Sequence, residues 1–100
     1  MPATIELLSF PGCPHANAAR AQLRLALQVC GLPETWKEID VTAPDAPAHA
    51  RGYASPTVLV DGRDVLGEAP SGAPGCRLYP GSDQPGAPPL RALCDALRGT

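Results

Sequence analysis

Ser55-Pro56-Thr57-Val58-Leu59-Val60-Asp61-Gly62-Arg63-Asp64-Val65-Leu66 is the stretch that decides the fold. Two β-prone runs flank Asp61-Gly62, a dipeptide suited to the positive φ values of a two-residue hairpin turn. The segment predicts antiparallel strands at 57–60 and 63–66, with a proline just ahead of the first. Proline is ordinary where a strand begins, because no ladder hydrogen bond needs its N–H. X–Pro bonds are also where cis peptides occur, so both isomers of Ser55–Pro56 stay open on these residues alone.

Working outward toward the N-terminus, Thr35-Trp36-Lys37-Glu38-Ile39-Asp40-Val41 alternates apolar and polar residues as a strand does. Residues 44–52, opening near Pro44-Asp45, predict a short, weak helix. Residues 14–30 form a long Ala/Leu/Arg/Gln segment that ends at Gly31-Leu32-Pro33. Pro14 suits a first helical position, and Gly31 followed by Pro33 suits a helix stop. Asn17, Arg20, Arg24 and Gln28 make one narrow polar stripe, so the rest of this helix is expected to lie against a sheet. Residues 4–10, Thr-Ile-Glu-Leu-Leu-Ser-Phe, read as a strand closed by Pro11-Gly12.

Downstream, Leu90, Leu93, Cys94 and Leu97 give residues 89–98 the stripe of a final helix. Residues 67–89 hold five Gly and six Pro, so 67–88 reads as a long loop. The predicted order is β-α-β-α-β-β-α in one α/β domain spanning 1–100. Its four-stranded mixed sheet is flanked by helices.

Eight Lys+Arg against ten Asp+Glu leave a net charge of −2. That balance offers no basic surface for nucleic acid or a membrane. No apolar run reaches the ~18–20 residues of a membrane span, and the N-terminal residues lack the pattern of a signal peptide. A soluble cytoplasmic protein is the expectation. Four Cys in such a setting point to catalysis, metal binding or packing rather than to a disulfide scaffold.

Cys13 stands where the first strand turns into the first helix, in Phe10-Pro11-Gly12-Cys13-Pro14-His15. Unpaired N–H groups and the positive end of the helix dipole favour a thiolate there. A protonated His15 acts in the same direction. Cys30 and Cys94 both fall on apolar helix faces and read as core residues. His49 reads as a surface or partly buried side chain. No Cys-x-x-Cys or His-x-x-x-His pair supports a structural zinc, and no metal site is expected.

With those residues in place, the element order, the Cys-Pro helix start and Ser55-Pro56-Thr57-Val58 before a hairpin resemble the thioredoxin fold. The chain also carries, in order, Gly12-Cys13-Pro14, Gly52-Tyr53-Ala54-Ser55-Pro56-Thr57, Asp61-Gly62-Arg63-Asp64, Cys76-Arg77-Leu78-Tyr79 and Gly86-Ala87-Pro88-Pro89. These resemble a family of small bacterial thioredoxin-like proteins, sometimes labelled alkylmercury lyase. The resemblance implies that Ser55–Pro56 is cis and lies beside Cys13. It also implies that Ser55 offers backbone hydrogen bonds to a bound thiol or peptide, with Pro14, His15, Pro56 and Thr57 around it.

The chain departs from ordinary thioredoxins at Ala16, which stands where Cys-x-x-Cys has its second thiol. Cys13 then acts as a monothiol with glutathione or another small thiol as co-substrate, or is resolved from elsewhere. In glutaredoxin-like proteins the loop carrying Cys76 folds back beside the active thiol, which makes Cys76 the candidate resolver. The expected function is thiol–disulfide exchange at Cys13, on a protein or small-molecule thiol or disulfide. The alternatives are capture of mercury or another thiophilic ion, handling of an organomercurial, and a binding domain that has lost the chemistry.

Overall fold

Strand β1, Ile5–Ser9, lies at the centre of the sheet because apolar residues alternate onto both of its faces. The computed structural model describes residues 3–70, 72, 75–82, 84 and 86–99. β1 pairs in parallel with β2, Lys37–Asp40, placing Leu8 opposite Ile39. On its other side it pairs antiparallel with β3, Thr57–Val60, placing Leu8 opposite Thr57. β3 turns through Asp61 and Gly62, at φ 52° and 81°, into β4, Arg63–Asp64. The Asp61 carboxylate also accepts the Thr4 N–H at 2.8 Å, fastening the turn to the start of β1. The result is an α/β fold with a four-stranded mixed sheet in the order β2-β1-β3-β4 and two α-helices.

Both helices lie on one face of that sheet. Leu7, Val58 and Val60 meet Ala19, Leu23, Ala26 and Leu27 of α1, Ala16–Val29, and Leu93, Cys94 and Leu97 of α2, Leu90–Arg98. Leu8, Ile39 and Leu59 alternate onto the other face, where Ala50, Val41 and Tyr53 cover them. Residues 44–52 form only a single 3₁₀ turn at Ala48–Ala50. Pro44 and Pro47 lack the N–H that a propagating helix needs, and Gly52, at φ +88°, turns the chain away.

Two further boundaries move for local reasons. α1 begins at Ala16 with His15 as its N-cap, so Pro14 sits in the preceding turn rather than inside the helix. Its outer side also leaves Leu25 and Val29 exposed, while Gln22 is buried and bonds to the Pro88 carbonyl at 3.3 Å. β4 stops at Asp64 because that carboxylate accepts the N–H groups of Leu66 at 3.0 Å and Glu68 at 3.1 Å. Those bonds curl the chain out of the ladder. Among the described residues no helix is long and apolar enough to cross a membrane.

Candidate functional site

Cys13 lies in the turn between β1 and α1, with its N–H donated to the Phe10 carbonyl at 3.2 Å and its own carbonyl accepting the Ala16 N–H at 3.3 Å. It is partly exposed and not disulfide-bonded. The thiol borders a cleft of about 500 Å³ between the start of α1 and the end of β2. Asn17 and Arg20 line it one and two helical turns beyond Cys13, and Glu38 and Asp40 line it from β2.

The cleft wall is held by charge-assisted hydrogen bonds. Arg20 grips Glu38 through Nε and Nη2, both at 2.8 Å, and donates from Nη1 to the Asn17 side-chain oxygen at 2.7 Å. Trp36 adds its indole N–H to Glu38 at 3.1 Å. The Arg20 bond holds the Glu38 carboxyl below its ordinary value, with the Trp36 bond acting the same way. Arg20 in turn is held above its ordinary value, mainly by Glu38, and Cys13 contributes electrostatically to that rise. Asp40 is kept below its ordinary range by the Thr42 hydroxyl at 2.6 Å and the Thr42 N–H at 2.9 Å.

His15 is partly buried directly under Gly86. A side-chain carbon at position 86 would collide with the imidazole and with the His15 Cβ, so only glycine permits this approach. Part of the Gly/Pro-rich segment therefore passes over the end of the sheet where Cys13 stands. Pro14 is exposed in the turn.

The Ser55–Pro56 bond is cis, as the resemblance implies. The antiparallel register of β3 on β1 carries residues 55 and 56 to the same end of the sheet as Cys13. Ser55 is fully buried, but its backbone is engaged within the chain. Its N–H donates to the Gly75 carbonyl at 2.8 Å, and its carbonyl accepts the Arg77 N–H at 2.7 Å, a parallel bridge opposite Cys76. The expectation that Ser55 presents these groups to a partner is corrected here: residues 75–77 occupy them. The Ser55 hydroxyl has no hydrogen-bond partner among the described residues.

The segment around Cys76 is fastened by side chains as well. Arg77 forks onto Asp64 at 2.7 and 3.0 Å, reaches the Thr57 hydroxyl at 3.2 Å and lies 4.5 Å above the Tyr79 ring. The Tyr79 hydroxyl donates to the Pro56 carbonyl. Burial pushes that phenol well above its ordinary value, so it stays a donor. Thr57 donates to the Ala54 carbonyl at 2.6 Å and is wholly buried, a structural residue rather than part of the cleft wall.

The two candidate thiols line different clefts. Cys13 faces the β2 side of β1, whereas Cys76 is anchored to the β3–β4 side and is exposed beside Tyr53, Glu68 and Arg77. The two clefts share no residue. Both thiols are free, and no disulfide joins Cys76 to Cys13. Among the described residues no group of three or more His, Cys, Asp or Glu side chains is placed to hold a metal.

Sequence reasoning did not single out Arg20, Asn17, Glu38 and Asp40 as cleft residues. The signal was present: 13, 17 and 20 recur at helical spacing, and 38 and 40 share one face of a strand, but only the parallel pairing of β2 with β1 brings that strand beside the start of α1. Comparison of the chain with family models, with curated proteins and with solved structures finds no match in any of the three.

Proposed function

We propose that the chain is a monothiol thiol–disulfide oxidoreductase of thioredoxin-like architecture, with Cys13 as nucleophile and an external small thiol such as glutathione as reductant. The β2-β1-β3-β4 order, with a helix crossing from β1 to β2 and Pro56 directly ahead of β3, supports the architectural part of that reading. The observation that carries the chemistry is a partly exposed Cys13 at the start of α1, bordering a polar cleft and within electrostatic reach of Arg20.

In the exchange, the Cys13 thiolate attacks one sulfur of a disulfide RSSR′. A Cys13–S–S–R bond forms and R′S⁻ leaves, taking a proton from solvent. A second thiolate, from the external thiol, then attacks the R sulfur of the mixed disulfide. Cys13 leaves as thiolate and the external thiol ends as the new disulfide. Arg20 and Asn17 act as positioning residues on the wall that the incoming disulfide meets. Ala16 at the fourth motif position and the anchoring of Cys76 leave resolution to the external thiol.

The test is reduction of a glutathionylated peptide by glutathione. The wild-type chain and Cys76→Ser should turn over at similar rates, whereas Cys13→Ser should be inactive. Intact mass should show one glutathione on Cys13 when reductant is limiting. A Cys13→Ser chain that keeps the rate would overturn the reading, as would a Cys76→Ser chain that loses it.

A further inference from the structure

Cys30 caps the C-terminal end of α1, and Cys94 lies on the buried face of α2. The sequence presents them as two unrelated core residues. In the fold α1 and α2 pack against each other, Cys94 is 6% exposed inside their shared cluster, and Cys30 packs against that cluster from a partly exposed position. The two side chains thus share one packed interface between the helices, and Cys30 acts electrostatically on the Cys94 thiol. Burial first, and Cys30 second, push the Cys94 thiol above its ordinary value, so it rests protonated. The pair lies at the far end of α1 from Cys13, across a 14-residue helix about 21 Å long.

We propose that Cys30 and Cys94 form a second thiol site, a dithiol that a low-molecular-weight disulfide converts into a Cys30–Cys94 bridge stapling the end of α1 to α2. Cys30, the accessible member, loses its proton and attacks one sulfur of RSSR. A Cys30–S–S–R bond forms and RS⁻ leaves to be protonated. The neighbouring Cys94 then loses its proton and attacks the Cys30 sulfur, so that Cys30–Cys94 forms and the second RSH departs. Two protein thiols are oxidised and one disulfide is reduced to two thiols, with no further oxidant. The shared interface offsets the reluctance of Cys94 to ionise, because its attack is intramolecular. The bridge closes a loop of more than sixty residues, a length at which cross-linking restricts the unfolded chain strongly.

The experiment uses the full chain with Cys13→Ser and Cys76→Ser, so its outcome is independent of the oxidoreductase reading. Oxidised glutathione is the probe. The expected product weighs two hydrogens less than the starting chain and carries no glutathione. An unreduced tryptic digest joins the Leu25–Lys37 and Ala92–Arg98 peptides. The midpoint of thermal unfolding rises by roughly 10 °C or more and returns when dithiothreitol is added. Adding Cys30→Ser abolishes both the link and the shift. A stable glutathione adduct on Cys30 with Cys94 still alkylatable would overturn the proposal, as would two fully alkylatable thiols after prolonged oxidation.

Discussion

Replacing Arg77 by alanine isolates the ion pair that fastens the Cys76 segment to the sheet. The Arg77 side chain is 11% exposed and Asp64 is 0% exposed, so the change leaves a buried carboxylate without its cation. Breaking such a pair from one side costs ~3–5 kcal/mol. The Leu66 and Glu68 N–H groups stay on Asp64 Oδ2 and pull the cost toward the lower end, while loss of the guanidinium from the Tyr79 ring adds ~0.5–1 kcal/mol. The expected loss is therefore about 3–4 kcal/mol, a large share of the ~5–15 kcal/mol that holds a domain together. It corresponds to a fall in melting temperature of roughly 12–30 °C.

Urea unfolding should show the midpoint falling with the slope unchanged. Alkylation of Cys76 should also accelerate, since the Arg77 N–H that bonds Ser55 belongs to the loosened segment. Arg77→Lys should fall between the two, because an ammonium keeps the charge without the two-pronged grip. Combining Arg77→Met with Asp64→Leu should recover part of the loss by removing the orphaned charge. A single Arg77→Ala variant within ~1 kcal/mol of wild type would refute the reasoning.

Tyr79→Phe leaves the buried Pro56 carbonyl unpaired and should cost ~1–2 kcal/mol in thermal or urea unfolding; an unchanged midpoint would mean that another donor reaches that carbonyl. Gly86→Ala places a methyl group against His15, so a loss of ~1–3 kcal/mol and an altered rate of Cys13 alkylation are expected, and neither would occur if the imidazole swings freely aside. Glu38 is held below its ordinary 4.5, so its contribution is present above that pH and lost as pH falls through the lowered folded value. Wild type should then exceed Glu38→Gln by at most ~1 kcal/mol near neutrality, since the pair is partly exposed, with the gap closing in acid; a gap that persists well below pH ~3 would exclude titration of this group as its cause.

The hairpin was the most readable part of the chain, because Asp61-Gly62 admits few alternatives to a two-residue turn between apolar strands. α1 was readable for the same kind of reason: a long periodic run has ends marked by Pro14 and Gly31. The weak helix at 44–52 failed because proline spacing outweighs local polarity once the run is shorter than about two turns. Cys13 stood out because a helix start creates its own electrostatics. The Arg20–Glu38 wall did not stand out, since it depends on β2 lying parallel to β1, a tertiary fact. The setting of Cys76 is hard to read for a related reason: nothing local reveals that the neighbouring Arg77 has a buried acid on β4 to seek. The proximity of Cys30 to Cys94 is likewise set by how two helices distant in sequence pack together.

The two edges of the sheet bear on how the chain behaves at high concentration. β2 presents four residues, with Lys37 and Glu38 exposed, and β4 presents two before Asp64 curls the backbone away. A foreign strand approaching β4 finds too few free amides for a lasting ladder, and at β2 it must desolvate charged side chains. Ahead of β3, Gly75–Arg77 already fills the rung at Ser55. Each open margin is thus curtailed by a different local means, which guards the sheet against edge-to-edge stacking into fibrils.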